Sequence, residues 1–201
     1  MTWIQTVPYD AASGRLRELY DRVKGPGNKV DNILMAHSLR PHTLEAHMHV
    51  YKYVLHHHAN RVPKWLLEGI GVYVSALNGC SYCVDHHTQG LKRLLRDDAR
   101  WAAVHRALVA DQPEIAFDGR ELAMLRYARR LTLAPRDLGE DDVVALRSAG
   151  LDDGEILEVN QVAAYFAYAN RTVLGLGITT DGDILGLSPG DATDPENWSH
   201  G

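Results

Sequence analysis

The chain has little that would tie it to a nucleic acid or a membrane, and almost nothing that would staple it covalently. Only two of its 201 residues are cysteines, Cys80 and Cys83, and only 7% are aromatic. Two cysteines three positions apart cannot frame a disulfide-built domain. At this length, burial of roughly 70% of the unfolded chain's surface supplies a core without such staples. No run of about 18 apolar residues occurs, so no membrane span is expected. The opening Met-Thr-Trp-Ile-Gln-Thr-Val-Pro lacks the charged and apolar regions of a secretory signal, so a cytoplasmic location is expected. Positive charge is scarce as well: 21 Lys and Arg face 26 Asp and Glu, a net charge of -5 with no basic footprint for a phosphate backbone. Neither nucleic acid nor membrane is expected as a partner.

The acidic excess is concentrated. Asp181, Asp183, Asp191, Asp194 and Glu196 follow Ile178 with no Lys or Arg among them, and the rest of the chain balances to neutral. Nothing would steer a polyion to that body, so a small or weakly polar ligand fits better. The organisation expected is one helical domain over residues 1–177 and an acidic C-terminal tail over 178–201. Rich in Gly, Asp and Pro, the tail reads as loose or as ordered by a neighbouring molecule.

What is present is helical periodicity. Leu16, Leu19, Tyr20 and Val23 recur at helical spacing until Gly25-Pro26-Gly27 stops the run, and Pro41 opens a segment through Leu44, Met48, Tyr51 and Leu55. A helix from about Pro63 ends at Asn78-Gly79, and another opens at Cys80. Asp97 is placed to cap the next, and further helices are expected over about 119–133, 140–149 and 153–174. Alternating strand patterns are missing before residue 178, so the fold class expected is all-α, a compact multi-helix bundle. The last helix is apolar around much of its circumference, which suggests burial in a bundle or against a second copy. Tyr165, Phe166, Tyr168, Asn170 and Arg171 on it are read as core.

The chemistry lies between Glu68 and Gly90. With Cys80 opening a helix, Cys83 follows three residues on and His87 four beyond, so all three share one face. Positions i and i+3 of a helix lie roughly 5 Å apart at Cα, within reach of a disulfide. A thiol in the first turn faces unpaired amides and the positive end of the helix dipole, which favours thiolate at Cys80. His87 is one turn from Cys83 and suited to move its proton near neutrality. An antiparallel return across Asn78-Gly79 would bring the Glu68 carboxylate to His87 and orient it.

Glu68, Cys80, Cys83 and His87, written E-x11-C-x-x-C-x-x-x-H, resemble the active-site pattern of the alkylhydroperoxidase D branch of the carboxymuconolactone decarboxylase superfamily. The flanking Val74-Ser75-Ala76-Leu77-Asn78 and Tyr82 resemble its peroxidase-related subgroup. The resemblance implies an all-α thiol peroxidase that reduces small organic hydroperoxides without haem, flavin or any other bound cofactor. It implies regeneration by an external dithiol of the dihydrolipoyl kind and a homo-oligomer, whether dimer, trimer or hexamer. It also implies that Cys83 attacks and Cys80 resolves, whereas the dipole argument favours Cys80 as the thiolate. A histidine that the family carries between its cysteines is replaced here by Tyr82.

Other readings stay open: a dithiol-disulfide oxidoreductase or redox sensor, and a non-catalytic zinc-binding or interaction module. Zinc needs four ligands, and only Cys80, Cys83 and His87 have suitable local spacing. His47, His49, His56, His57 and His58 point in several directions and are expected as scattered surface or interface histidines, and Asp85 and His86 as exposed neighbours of the motif.

Overall fold

The computed structural model describes residues 2–189, 193–194 and 197–200; Asp191 and Glu196 of the acidic segment lie outside them. The described residues form nine α-helices: α1 Gly14–Val23, α2 Asn32–Met35, α3 Pro41–Tyr51, α4 Lys64–Leu77, α5 Ser81–Leu95, α6 Asp98–Val109, α7 Gly119–Leu133, α8 Glu140–Ser148 and α9 Asp153–Leu176. They contain no strand, only an isolated bridge between Pro189 and His200. The all-α expectation holds, with helix ends within a few residues of the periodicity.

α4 is the axis of the bundle. Every residue from Leu66 to Ser75 is buried, and α5, α6, α7 and α9 pack around it. Gly71 lets α9 approach, since a Cβ there would stand 2.2 Å from the Phe166 ring. Asn78 and Gly79 reverse the chain, Gly79 with φ +68°, and the Cys80 amide donates to the Ser75 carbonyl at 2.9 Å. α5 therefore returns antiparallel along α4 and lays its first two turns beside the middle of that helix. Asp97 caps α6 as expected, accepting the Arg100 amide at 2.9 Å. A capping box starts α9, where Asp152 accepts the Glu155 amide at 2.9 Å and Glu155 accepts that of Asp152 at 3.0 Å. α3 does not simply end at Tyr51 but widens into a π-helical turn, Lys52–His56, a distortion that often accompanies function.

The segment after Ile178 differs from expectation. Its described part folds back on its own chain. Trp198 is buried in the main core under the Arg22 guanidinium, 3.6 Å from the ring centre, and the buried Lys52 ammonium donates to the Asn197 carbonyl at 2.8 Å. Asp183 accepts the Asn32 amide, 3.1 Å from each of its oxygens, and the Asn32 side chain donates to the carbonyls of Thr179 and Asp181 at 2.8 and 3.0 Å. Composition reads the Gly, Asp and Pro content as loose; one buried Trp and one multiply bonded Asp anchor it.

Candidate active site

Cys80 is the N-cap of α5 and Cys83 lies in its first turn; both are buried and neither is in a disulfide. The two thiols point at each other. The Cys83 thiol, directed at the Cys80 sulfur, holds the Cys80 pKa below the ordinary thiol value against the cost of burial, with help from the Cys83 amide and Asn170. Cys83, as donor to Cys80 and buried besides, is pushed well above it. The helix start thus places the charge of the pair on Cys80, as the dipole predicts.

Access runs the other way. Cys83, not Cys80, lines a cavity of about 50 Å³. Its remaining wall includes Glu68, His87, Tyr82, His86, Tyr51 and Tyr165. On the far side of the pair, Asn170 donates to the Ser75 hydroxyl at 3.0 Å and accepts from the Asn78 side chain at 2.9 Å.

Glu68 is only 2% exposed, yet its Oε2 lies 2.7 Å from Nδ1 of His87. With a carboxylate acceptor, Nδ1 carries the hydrogen and Nε2 is left free to take a proton. The Phe166 ring meets His87 edge-on at 4.6 Å and fixes its plane. On the other flank, His56 places Nε2 3.8 Å from Glu68 Oε1, and burial pushes its pKa well below the usual value, so it packs there as a neutral ring. The four motif residues Glu68, Cys80, Cys83 and His87 are therefore brought together by the α4–α5 hairpin.

Several expectations are corrected. His86 is buried rather than exposed; it lines the cavity, stacks against Tyr82 at 4.6 Å and places Nε2 3.3 Å from Asp183. Tyr82 donates its hydroxyl proton to Asp183 at 2.8 Å and accepts the Ile33 amide at 3.2 Å, which ties α5, α2 and the C-terminal segment together. His47 and His56 are not surface histidines. His47 lines the cavity beside Tyr165, 3.4 Å from its hydroxyl, and burial drives its pKa down to about 3. Tyr165, read as core, is buried but also forms cavity wall. Sequence reasoning missed Asp31, Gly186, Leu187, Ser188 and His200 altogether, all of them on the cavity. Among the described residues, no three His, Cys, Asp or Glu side chains converge in a way that could hold a metal ion.

Residues 41–130, which contain α3 to α6, the α4–α5 hairpin and all four motif residues, match the family model of the carboxymuconolactone decarboxylase family. The chain is a member of that superfamily. Its fold is similar to the alkylhydroperoxidase AhpD core of an uncharacterized peroxidase-related protein from Ralstonia eutropha JMP134, at 21% identity and a TM-score of 0.78 over 90% of this chain and 93% of that one. An uncharacterized peroxidase-related protein from Silicibacter sp. TM1040 is similar at 24% identity and a TM-score of 0.79, again over 90% and 93%. The debrominase Bmp8 shares the fold at 18% identity and a TM-score of 0.68, over 90% of this chain and 91% of that one. At these identities the three likenesses establish an AhpD-like fold for this carboxymuconolactone decarboxylase superfamily member, an enzyme fold of that kind. No helix among the described residues is long and apolar enough to cross a membrane.

Proposed function

We propose that the protein is a thiol peroxidase that reduces small organic hydroperoxides with Cys83 and Cys80 and is regenerated by an external dithiol of the dihydrolipoyl class. One observation carries the reading: Cys83 and the Glu68–His87 pair face the same small cavity, while the more acidic Cys80 stands directly behind Cys83.

The chemistry follows from that order. As Cys83 attacks the outer peroxide oxygen, its thiol proton passes to the Cys80 thiolate against which it already rests. A sulfur–oxygen bond forms, the O–O bond breaks, and the alkoxide leaves as alcohol once protonated. Cys83 is then a sulfenic acid and Cys80 a thiol. Cys80 attacks the sulfenic sulfur, its proton leaves with the hydroxyl as water, and the disulfide closes within the first helical turn. His87, oriented by Glu68, takes up and returns the proton that sets the charge state of the pair. A dithiol reduces the disulfide by exchange through a mixed disulfide.

Cavity size favours a peroxide over a brominated ring. About 50 Å³ admits a peroxide head group with the organic part directed outward. An apolar cavity near 150 Å³ is what holds benzene. A dithiol-disulfide oxidoreductase would use the same two thiols without peroxide, so turnover separates the two. With dihydrolipoamide and cumene hydroperoxide, the peroxidase reading expects consumption of both in equal amounts, abolished in Cys83→Ser. Dithiol oxidation by a disulfide substrate without peroxide consumption overturns it.

A further inference from the structure

Asp31 stands at the N-cap of α2 and does not cap it. Asp is among the residues that best accept first-turn amides, yet this carboxyl makes no such bond. The Asn32 amide is satisfied instead by Asp183, from 151 positions along the chain. The Asp31 carboxyl lines the cavity that holds Cys83 and His87. The cavity thus carries two acid–base groups of different kind. On one side Glu68 is committed to His87; on the other Asp31 sits with Asp183 and His86.

Environment sets the two sides apart. Burial raises the Asp31 pKa to about 6, with His86 and His87 opposing the shift and Asp183 adding to it. A protonated carboxyl is therefore available in the cavity near neutrality, and pairs of acids held at different protonation are how one site divides acid and base work. The reaction proposed above has a place for it: the departing alkoxide is strongly basic, and a small, largely enclosed cavity offers little water to protonate it.

We propose that Asp31 is the general acid that protonates the leaving oxygen when Cys83 cleaves the peroxide. The inference rests on the peroxidase reading. As the Cys83 sulfur bonds the outer oxygen and the O–O pair departs on the inner one, the Asp31 proton moves to that oxygen and alcohol leaves. Sulfur is oxidised by two electrons, the peroxide is reduced by two, and the Asp31 carboxylate regains its proton from solvent.

The test compares tert-butyl hydroperoxide, whose leaving alkoxide needs a proton, with peracetic acid, whose leaving acetate does not. Single-turnover loss of thiol is followed in the wild type and in Asp31→Asn. The variant is expected to slow ~100-fold with the hydroperoxide and to keep its rate with the peracid. Equal slowing with both, or with neither, overturns the proposal. A second measurement uses the wild type alone: the hydroperoxide-to-peracid rate ratio should fall as pH rises through about 6. Ionisation of Cys83, His86, His87, Glu68, His47, His200, Tyr51 and Asp183 affects both substrates alike and cancels in the ratio. A ratio independent of pH also overturns the proposal, even if the variant fails to fold. If the wild type reacts with neither peroxide, the peroxidase reading itself fails, and the role of Asp31 with it.

Discussion

Glu68 and His87 lie nineteen positions apart in the chain and 2.7 Å apart in the fold, a carboxylate buried in the central helix and an imidazole on the helix that returns beside it. Gly90 allows that approach, because α5 offers only a bare backbone one turn beyond His87, where an added Cβ would already stand 3.6 Å from the carboxylate. A buried carboxylate without a hydrogen-bond donor would be costly, so the pair is fixed in orientation as well as in place. Glu68→Gln keeps the shape and removes the acceptor that selects the Nδ1–H tautomer. Thiol oxidation by hydroperoxide is expected to slow ~100-fold while thermal stability stays close to wild type. An unchanged oxidation rate would show that Glu68 does not orient His87.

The two cysteines are expected to titrate apart. Absorbance of the thiolates should show one ionisation below the ordinary thiol value and a second well above it. In Cys80→Ser the low step should vanish; in Cys83→Ser it should remain but move up, since the Cys83 thiol is its main support. After hydroperoxide, Cys80→Ser should hold a sulfenic acid at Cys83 that dimedone traps. Trapping at Cys80 instead, in Cys83→Ser, would reverse the assigned roles.

Acid should loosen the fold. Burial lowers the pKa of His47 to about 3 and that of His200 to about 4, against 6.5 for the free side chain. Both are neutral in the folded state and would be charged at low pH when unfolded. Their contribution is complete above about 6.5 and is lost as pH falls from there towards the folded values. The melting temperature is therefore expected to drop between pH 6.5 and 4, and His200→Gln should flatten part of that slope. Asp31 runs opposite: its raised pKa favours the folded state in acid, and that contribution disappears as pH rises from about 4 through 6. Asp31→Asn should then stabilise the protein at pH 7, by on the order of 1–2 kcal/mol, and not at pH 4. A stability profile flat from pH 7 to 4 would contradict the burial of these groups.

Asp183 should hold the C-terminal segment in place. It takes the Asn32 amide and the Tyr82 hydroxyl and touches His86, all within 3.3 Å. Asp183→Asn keeps the size but loses the charge and an acceptor, at a cost of roughly 2 kcal/mol, or about 4–8 °C of melting temperature for a chain of this length. Limited proteolysis should then cut between Ile178 and Pro189 faster than in wild type. Cleavage as slow as in wild type would show that Asp183 is not the anchor.

Much of this was legible in the sequence. The helices follow from periodicity and punctuation, because Gly79 and Asp97 act locally and need no tertiary context. The meeting of Glu68 and His87 follows from the same logic, as a tight turn forces α5 back along α4. The burial of His86 was not legible, since its cover, Asp183, arrives from 97 residues away and carries no periodic signal. Nor was that of His47, whose neighbour Tyr165 belongs to another helix. His56 was hidden by the π-helical turn, which shifts its side chain off the face that a regular helix would give it. Asp31 escaped because an Asp before a short helix reads as a cap, and only the structure shows another residue doing that work.

The most direct test of the account is the free-thiol count and intact mass of the reduced protein before and after one equivalent of cumene hydroperoxide. The account predicts loss of both thiols as a disulfide between Cys80 and Cys83, with a mass two hydrogens lighter, recovery on addition of dihydrolipoamide, and no reaction in Cys83→Ser. Persistence of both thiols at neutral pH would contradict it.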